Sequence, residues 1–177
     1  MHKSKVQTVL WSPLSESALL TAGFDGKIKI RDVKADVGVT IATPSDVEDA
    51  CFHPTSKFNI AASFEDGSVH YYDLRKAEKG PILEIASSSK NTTTGLAFCK
   101  GYDSALAACN KDGKVRIFDL RDMKGERVVS KKMEVGELYA LKSGTDLEKT
   151  IACGGSGGQL AIWDLESSKE VVHHFGN

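Results

Sequence analysis

Cysteine, long apolar runs and surplus charge are all in short supply here. The four cysteines, Cys51, Cys99, Cys109 and Cys153, are widely spaced with no Cys-x-x-Cys, and each lies in or beside an apolar stretch. That pattern argues for reduced core thiols and against a disulfide framework or a cysteine-built zinc site. No apolar run approaches the roughly 18 residues that a membrane helix needs. The N-terminus lacks the basic, apolar, small-residue order of a secretory leader, so an intracellular chain without membrane contact is expected. A formal net charge of −1 removes any general electrostatic capture by nucleic acid or lipid. What remains, with 41% hydrophobic and 27% charged residues, is the profile of a globular chain.

One decapeptide organises the rest. In Phe24-Asp25-Gly26-Lys27-Ile28-Lys29-Ile30-Arg31-Asp32-Val33, Asp-Gly supplies a turn that tolerates positive φ, and Ile28 and Ile30 alternate with Lys27, Lys29 and Arg31 at the period of a strand. The pattern returns as Glu65-Asp66-Gly67-Ser68-Val69-His70-Tyr71-Tyr72-Asp73-Leu74 and as Lys111-Asp112-Gly113-Lys114-Val115-Arg116-Ile117-Phe118-Asp119-Leu120. A fourth copy is Ser156-Gly157-Gly158-Gln159-Leu160-Ala161-Ile162-Trp163-Asp164-Leu165. Gly26, Gly67, Gly113 and Gly158 stand 41, 46 and 45 residues apart, which is the period of propeller blades.

These residues resemble the WD repeat family. Trp163-Asp164 is the signature pair, while Arg31, Tyr72 and Phe118 stand in the Trp position ahead of Asp32, Asp73 and Asp119. The resemblance covers nearly the whole chain. It implies an all-β WD-repeat β-propeller of four four-stranded antiparallel blades, either a partial propeller or half of a larger ring. As a single propeller segment, its blades would span about 2–43, 44–88, 89–133 and 134–177.

Strand positions follow from the same register. Trp11, Phe52 and Phe98 each close a first strand 14 residues before the turn aspartates Asp25, Asp66 and Asp112. Second, third and fourth strands are expected at Ala18–Ala22, Lys27–Val33 and Val37–Ala42, then at Asn59–Ser63, Ser68–Leu74 and Pro81–Ala86 with a polar turn over Lys76–Gly80. In the third unit they fall at Ser104–Cys109, Lys114–Leu120 and Arg127–Met133. The last unit departs from the pattern: its first strand lies within Glu137–Lys142, Ser143–Lys149 is a longer loop, Gly157 replaces the turn Asp, and the last strand covers Glu170–Phe175. Because the chain starts on a first strand and stops after a fourth, no shared closing blade is left over. Two arrangements are then expected: the C-terminal part of a longer chain, or closure by a second copy through open blade edges.

In the WD repeat family a bonded group of His, Ser or Thr, turn Asp and Trp braces each blade. Here it is degenerate. His2, Thr21 and Asp25 supply three of its members in the first unit; the second keeps Ser63 and Asp66, the third Asp112, and the fourth Trp163 without the Asp. Asp66 is expected to accept backbone N–H bonds in its own turn, so Asp66→Ala should cost about 1 kcal/mol.

Enzymatic and metal readings find little purchase. Cys51, His53, Ser12 and Ser63 offer a nucleophile and a base on paper, but His53-Pro54 occupies the turn slot that ends an inner strand. Gly154-Gly155-Ser156-Gly157-Gly158 lacks the helix and lysine of a phosphate cradle. His173 and His174 point to opposite faces of a strand. No catalytic residue, cofactor or metal is expected.

Protein contacts are the better candidates. Loops joining fourth to first and second to third strands would gather Phe24, Asp46, Glu48, Glu65, Lys90, Asn91, Lys111 and Glu134 on one face, with Phe24 as an apolar anchor or as packing against its neighbour. A basic cluster, Arg121, Lys124, Arg127, Lys131 and Lys132, reads first as a solvated charged face, with a contact to RNA as the weaker alternative. Within the WD repeat family, Lys5-Val6-Gln7-Thr8-Val9, Leu19-Leu20-Thr21-Ala22-Gly23-Phe24-Asp25, Val47-Glu48-Asp49-Ala50-Cys51-Phe52, Ala61-Ala62-Ser63-Phe64-Glu65-Asp66-Gly67-Ser68-Val69 and the ending Phe175-Gly176-Asn177 are similar to the C-terminal half of a ribosome-assembly member. That resemblance implies a nuclear or nucleolar scaffold on pre-ribosomal particles. Asp73-Leu74-Arg75 and Asp119-Leu120-Arg121 also fit the Asp-x-Arg ending of WD repeat substrate receptors of cullin-type ubiquitin ligases, in which Arg75 and Arg121 would meet the adaptor.

Overall fold

A computed structural model describes residues 1–86, 91–122, 128–144, 146–167 and 170–173. Its strands form four antiparallel sheets of four strands, each sheet in chain order. The first blade is β1 (Val6–Trp11), β2 (Ala18–Gly23), β3 (Lys27–Asp32) and β4 (Val37–Ala42), and the second is β5 (Val47–Phe52), β6 (Asn59–Phe64), β7 (Val69–Asp73) and β8 (Leu83–Ile85). The third holds β9 (Thr93–Phe98), β10 (Ala105–Asn110), β11 (Lys114–Asp119) and β12 (Val128–Lys132), and the fourth β13 (Leu138–Ser143), β14 (Thr150–Gly155), β15 (Leu160–Asp164) and β16 (Glu170–His173). They divide between two compact units, Met1–Thr92 and Thr93–Asn177.

The turn glycines explain why the hairpins fall where they do. Gly26, Gly67, Gly113 and Gly158 adopt φ of 61°, 86°, 77° and 69°, a left-handed conformation that costs a side-chain-bearing residue energy. At Gly113 a Cβ would also lie 2.8 Å from the Gly136 carbonyl oxygen. Every first strand carries a bulge beside its second residue, Gln7, Glu48, Thr94 or Tyr139.

One expectation is corrected in the second blade. The stretch Lys76–Gly80 lies mostly in a short 3-10 helix, Leu74–Lys79, which the Asp73 carboxylate caps by accepting the Arg75 N–H and which Gly80 ends at φ 86°. Pro81 then brings no N–H to the ladder, so β8 is regular only over Leu83–Ile85 rather than from Pro81 to Ala86. Arg127 and Phe175, expected in the last strands of blades three and four, lie outside the described residues.

Each unit has one core, and both are built alike. In the first, Leu10, Leu20, Ala22, Ile28, Ile30 and Ile41 of blade one pack with Ala50, Phe52, Ile60, Ala62, Phe64 and Tyr72 of blade two. In the second, Ala97, Cys99, Ala107, Cys109 and Val115 of blade three pack with Leu138, Leu141, Ile151, Cys153 and Trp163 of blade four. Registry shows that both interfaces use the same pair of faces. Phe52 pairs with Ile60 and Ile60 with Tyr72, just as Ile151 pairs with Trp163. Tyr72 and Trp163, each directly before its signature Asp, therefore lie on the face that packs against the preceding blade of the same unit.

Candidate functional site

The four aspartates that end β3, β7, β11 and β15 behave alike. Asp32 accepts the Lys34 and Ala35 N–H groups, Asp73 that of Arg75, Asp119 that of Arg121, and Asp164 those of Glu166 and Ser167. In blades one and three the same carboxylates also accept Ser17 Oγ and Ser104 Oγ at 2.9 Å, which ties the third strand to the start of the second. Their constancy reflects turn closure.

The turn aspartates, by contrast, differ from blade to blade. In the first, His2 Nδ1 meets Asp25 Oδ1 at 2.9 Å and Nε2 meets Thr21 Oγ1 at 2.8 Å, while the Lys3 N–H donates to Asp25 Oδ2, so the expected triad forms. Burial alone would raise the Asp25 carboxyl; the His2 ring and Lys3 amide outweigh it and hold it below its ordinary value. In the second blade Asp66 and Ser63 do not pair. Asp66 Oδ1 accepts the Ser68 N–H at 2.9 Å and its hydroxyl at 2.7 Å, and Ser63 Oγ turns to the Asp49 carbonyl.

The third blade replaces the missing His from an unexpected direction. Arg116 of β11, itself 9% exposed, donates to Asp112 Oδ2 at 2.5 Å and to Asn110 Oδ1 at 2.8 Å, and Asn110 donates on to Thr93 Oγ1 at 2.7 Å. The fourth substitutes a hydroxyl: Ser156 Oγ accepts the Glu137 N–H at 3.0 Å. Trp163 keeps its place in that core, but among the described residues its Nε1 is the buried side-chain nitrogen left without a hydrogen-bond partner. The signal that sequence reading passed over is the side chain three residues after the turn glycine, Lys29, His70 or Arg116, which in the third blade is an arginine long enough to reach the turn Asp.

Predicted contact residues come together within each unit. The Glu65 N–H donates to the Asp46 carbonyl at 3.0 Å and the Phe24 N–H to the Lys5 carbonyl at 2.8 Å, so in blades one and two the segment before the first strand meets the turn between the second and third. Phe24 is half-buried under the Lys5 ammonium, 4.7 Å from its ring centroid. Glu48, half-buried on its bulge, accepts a bond from Gln7 at 3.4 Å. In the other unit, Lys111 and Glu134 line a cavity of about 350 Å³ with Asp112, Lys132 and Glu137. Arg75 and Arg121 sit at the far ends of their third strands. Each folds back on its own aspartate through Nε and a terminal nitrogen, at 2.9 and 2.7 Å for Arg75 and 3.0 and 2.7 Å for Arg121. Of the basic cluster, Lys124 and Arg127 lie outside the described residues, as do Lys90 and His174, while Lys131 lies 5.4 Å over the Trp163 ring.

Blade one carries an uncovered apolar surface on the face that an open arc is expected to expose. Trp11, which occupies the position of Phe52, is 60% exposed where Phe52 is 9% exposed, and Val9 beside it is 58% exposed. None of the four cysteines is in a disulfide, and burial pushes the Cys99 thiol up to about 12, which makes it a poor nucleophile. Among the described residues no three His, Cys, Asp or Glu side chains gather as metal ligands, and no helix is long and apolar enough to cross a membrane.

Blades of this strand order, closed by Asp-capped turns, define a chain that carries WD repeats: residues 1–32 and 37–73 match the family model described as WD domain, G-beta repeat. Over nearly its whole length it is similar to the periodic tryptophan protein 1 homolog of Drosophila melanogaster, 22% identical over 97% of this chain and 38% of that protein. It is also 23% identical to the E3 ubiquitin-protein ligase COP1 of Arabidopsis thaliana, over 99% of this chain and 25% of that one. The ribosome biogenesis protein WDR12 homolog of Trichoplax adhaerens is 27% identical over 68% of this chain and 28% of its own length. The chain thus spans well under half of each of these relatives.

Proposed function

We propose that this chain is a non-catalytic scaffold that binds other proteins in ribosome biogenesis, within large-subunit pre-rRNA processing, and that it works in the nucleus and nucleolus. The observation that carries the scaffold reading is the uncovered face of blade one. Val9 and Trp11 hold apolar surface in water at positions whose counterparts in the next blade are packed, and exposed apolar surface of this kind marks a contact. The ribosomal assignment is supported by similarity to a protein whose name states ribosome biogenesis and to periodic tryptophan protein 1. Pre-ribosomal particles are the partner, RNA touches the basic cluster around Arg121 and Lys132, and a second copy competes for the open blade faces. Affinity purification of the tagged full-length protein tests the assignment: large-subunit assembly factors should dominate the recovered proteins, and their absence would refute it.

A second reading rests on the likeness to an E3 ubiquitin-protein ligase together with Asp73-x-Arg75 and Asp119-x-Arg121. The chain would then be a substrate receptor of a cullin-type ligase. Both arginine side chains are largely exposed even while paired with their aspartates, at 59% and 78%, so both are reachable by an adaptor. Charge reversal at Arg75 and Arg121 that abolishes recovery of a ligase adaptor favours this reading. Recovery that is unchanged, or nil from the start, leaves the ribosomal one.

A further inference from the structure

A cavity of about 440 Å³ opens within the first unit where Ala42 and Pro44 of blade one meet β7 and β8 of blade two, within the size range of ligand sites. Its polar lining is Asp66, Ser68, His70, Tyr72 and Glu84. His70 is 7% exposed, its ring edge-on to Phe64 at 4.7 Å between centroids. His70 Nδ1 meets the Tyr72 hydroxyl at 3.1 Å, and the other ring nitrogen has no hydrogen-bond partner among the described residues. Glu84 is exposed and makes no hydrogen bond or ion pair there either.

Blade three shows what such a place accepts. His70 and Arg116 follow Gly67 and Gly113 by the same three residues and pair with equivalent residues of the neighbouring strand, Ala62 and Ala108. Asp112 uses Oδ1 for the Lys114 N–H and Oδ2 for the Arg116 guanidinium. Asp66 uses Oδ1 in the same way, for Ser68, but among the described residues its Oδ2 has no partner, since a His at position 70 is shorter than the Arg at position 116. Blade two therefore keeps the carboxylate and lacks the cation.

We propose that this cavity is a recognition site for an arginine side chain of a partner protein, whose guanidinium takes the place that Arg116 occupies in blade three. Asp66 Oδ2 and Glu84 supply the charge, the unbonded ring nitrogen of His70 accepts an N–H, and Pro44, Pro81 and Ile85 line the path of the aliphatic stem. The charges that act on His70 are both acidic, from Glu84 and Asp66, while burial holds the ring below its ordinary value and so keeps it neutral and able to accept. The site is independent of the ribosomal assignment, since it specifies only the chemistry of what enters.

The test uses the full chain, isotope-labelled, and a capped alanine peptide with one central arginine, compared with the same peptide carrying citrulline, which has the shape without the charge. The arginine peptide should shift the His70 ring signals, with citrulline binding roughly tenfold more weakly, as loss of a charged hydrogen bond implies. Glu84→Gln, at an exposed side chain without bonds, should weaken binding several-fold. His70→Arg, which copies blade three, should abolish it. An unshifted His70 at millimolar peptide, equal binding of citrulline, or undiminished binding by Glu84→Gln or His70→Arg would overturn the proposal.

Discussion

At the scale of single residues, the turn aspartates show that one backbone geometry admits several chemical solutions. Asp-Gly was readable as a turn because the need for positive φ and for local N–H acceptance is confined to a few neighbouring residues. His2 was legible as the partner of Asp25 from the family pattern, but the partner of Asp112 was not, since Arg116 supplies it from the third strand. Arg116→Leu would leave Asp112 and Asn110 without their cation in a largely buried site, at a cost of about 2–4 kcal/mol. Urea midpoints for the variant and the parent measure that loss, and coincident curves would refute the bridging role. Asp73 gives a pH signature. Its bonds from Arg75, through side chain and backbone, bring its pKa down to about 2 from an ordinary 3.8. The folded state is then favoured in full above about 3.8, and that contribution fades as acid protonates the folded carboxylate toward pH 2. Asp73→Asn should flatten the fall in stability between these values while leaving the rest of the pH profile alone. An unchanged acid limb, followed by circular dichroism, would count against the pair.

Among the elements, the repeated strand order came directly from a two-residue alternation and a period near 45, so the first three strands of each blade were legible in outline. Fourth strands were harder. Val37–Ala42 falls where it was expected, but in the second blade Pro81 shortens the edge ladder to Leu83–Ile85 without changing the fold. Nor could alternation say which face would remain open, because Trp11 and Phe52 look identical as strand-closing aromatics and differ only in what lies against them. The cores predict that Phe64, fully buried and in edge contact with His70, is a costly position. Phe64→Ala should lose about 3–5 kcal/mol of stability, read from thermal or chemical unfolding, whereas Trp11→Ala should lose under about 1 kcal/mol because its ring is already hydrated. Equal losses at the two positions would contradict the assignment of packed and open faces.

For the whole molecule, the account joins a stable set of Asp-capped hairpins to a surface that the described fold leaves uncovered. On the proposed scaffold reading, stability and function are separated in sequence: turn aspartates and core strands hold each blade, while Val9, Trp11 and the loop residues Phe24, Glu65 and Lys111 are exposed or half-buried. A substitution on the open face should consequently disturb association more than folding. The most direct test is density-gradient sedimentation of the tagged full-length protein from cell extract, with the parent protein beside a Trp11→Asp variant that unfolds at the same temperature. The proposed scaffold role predicts that the parent travels with large-subunit precursor particles and that Trp11→Asp moves to the light fractions. A parent protein confined to the light fractions, or a variant that travels with the particles as the parent does, would contradict it.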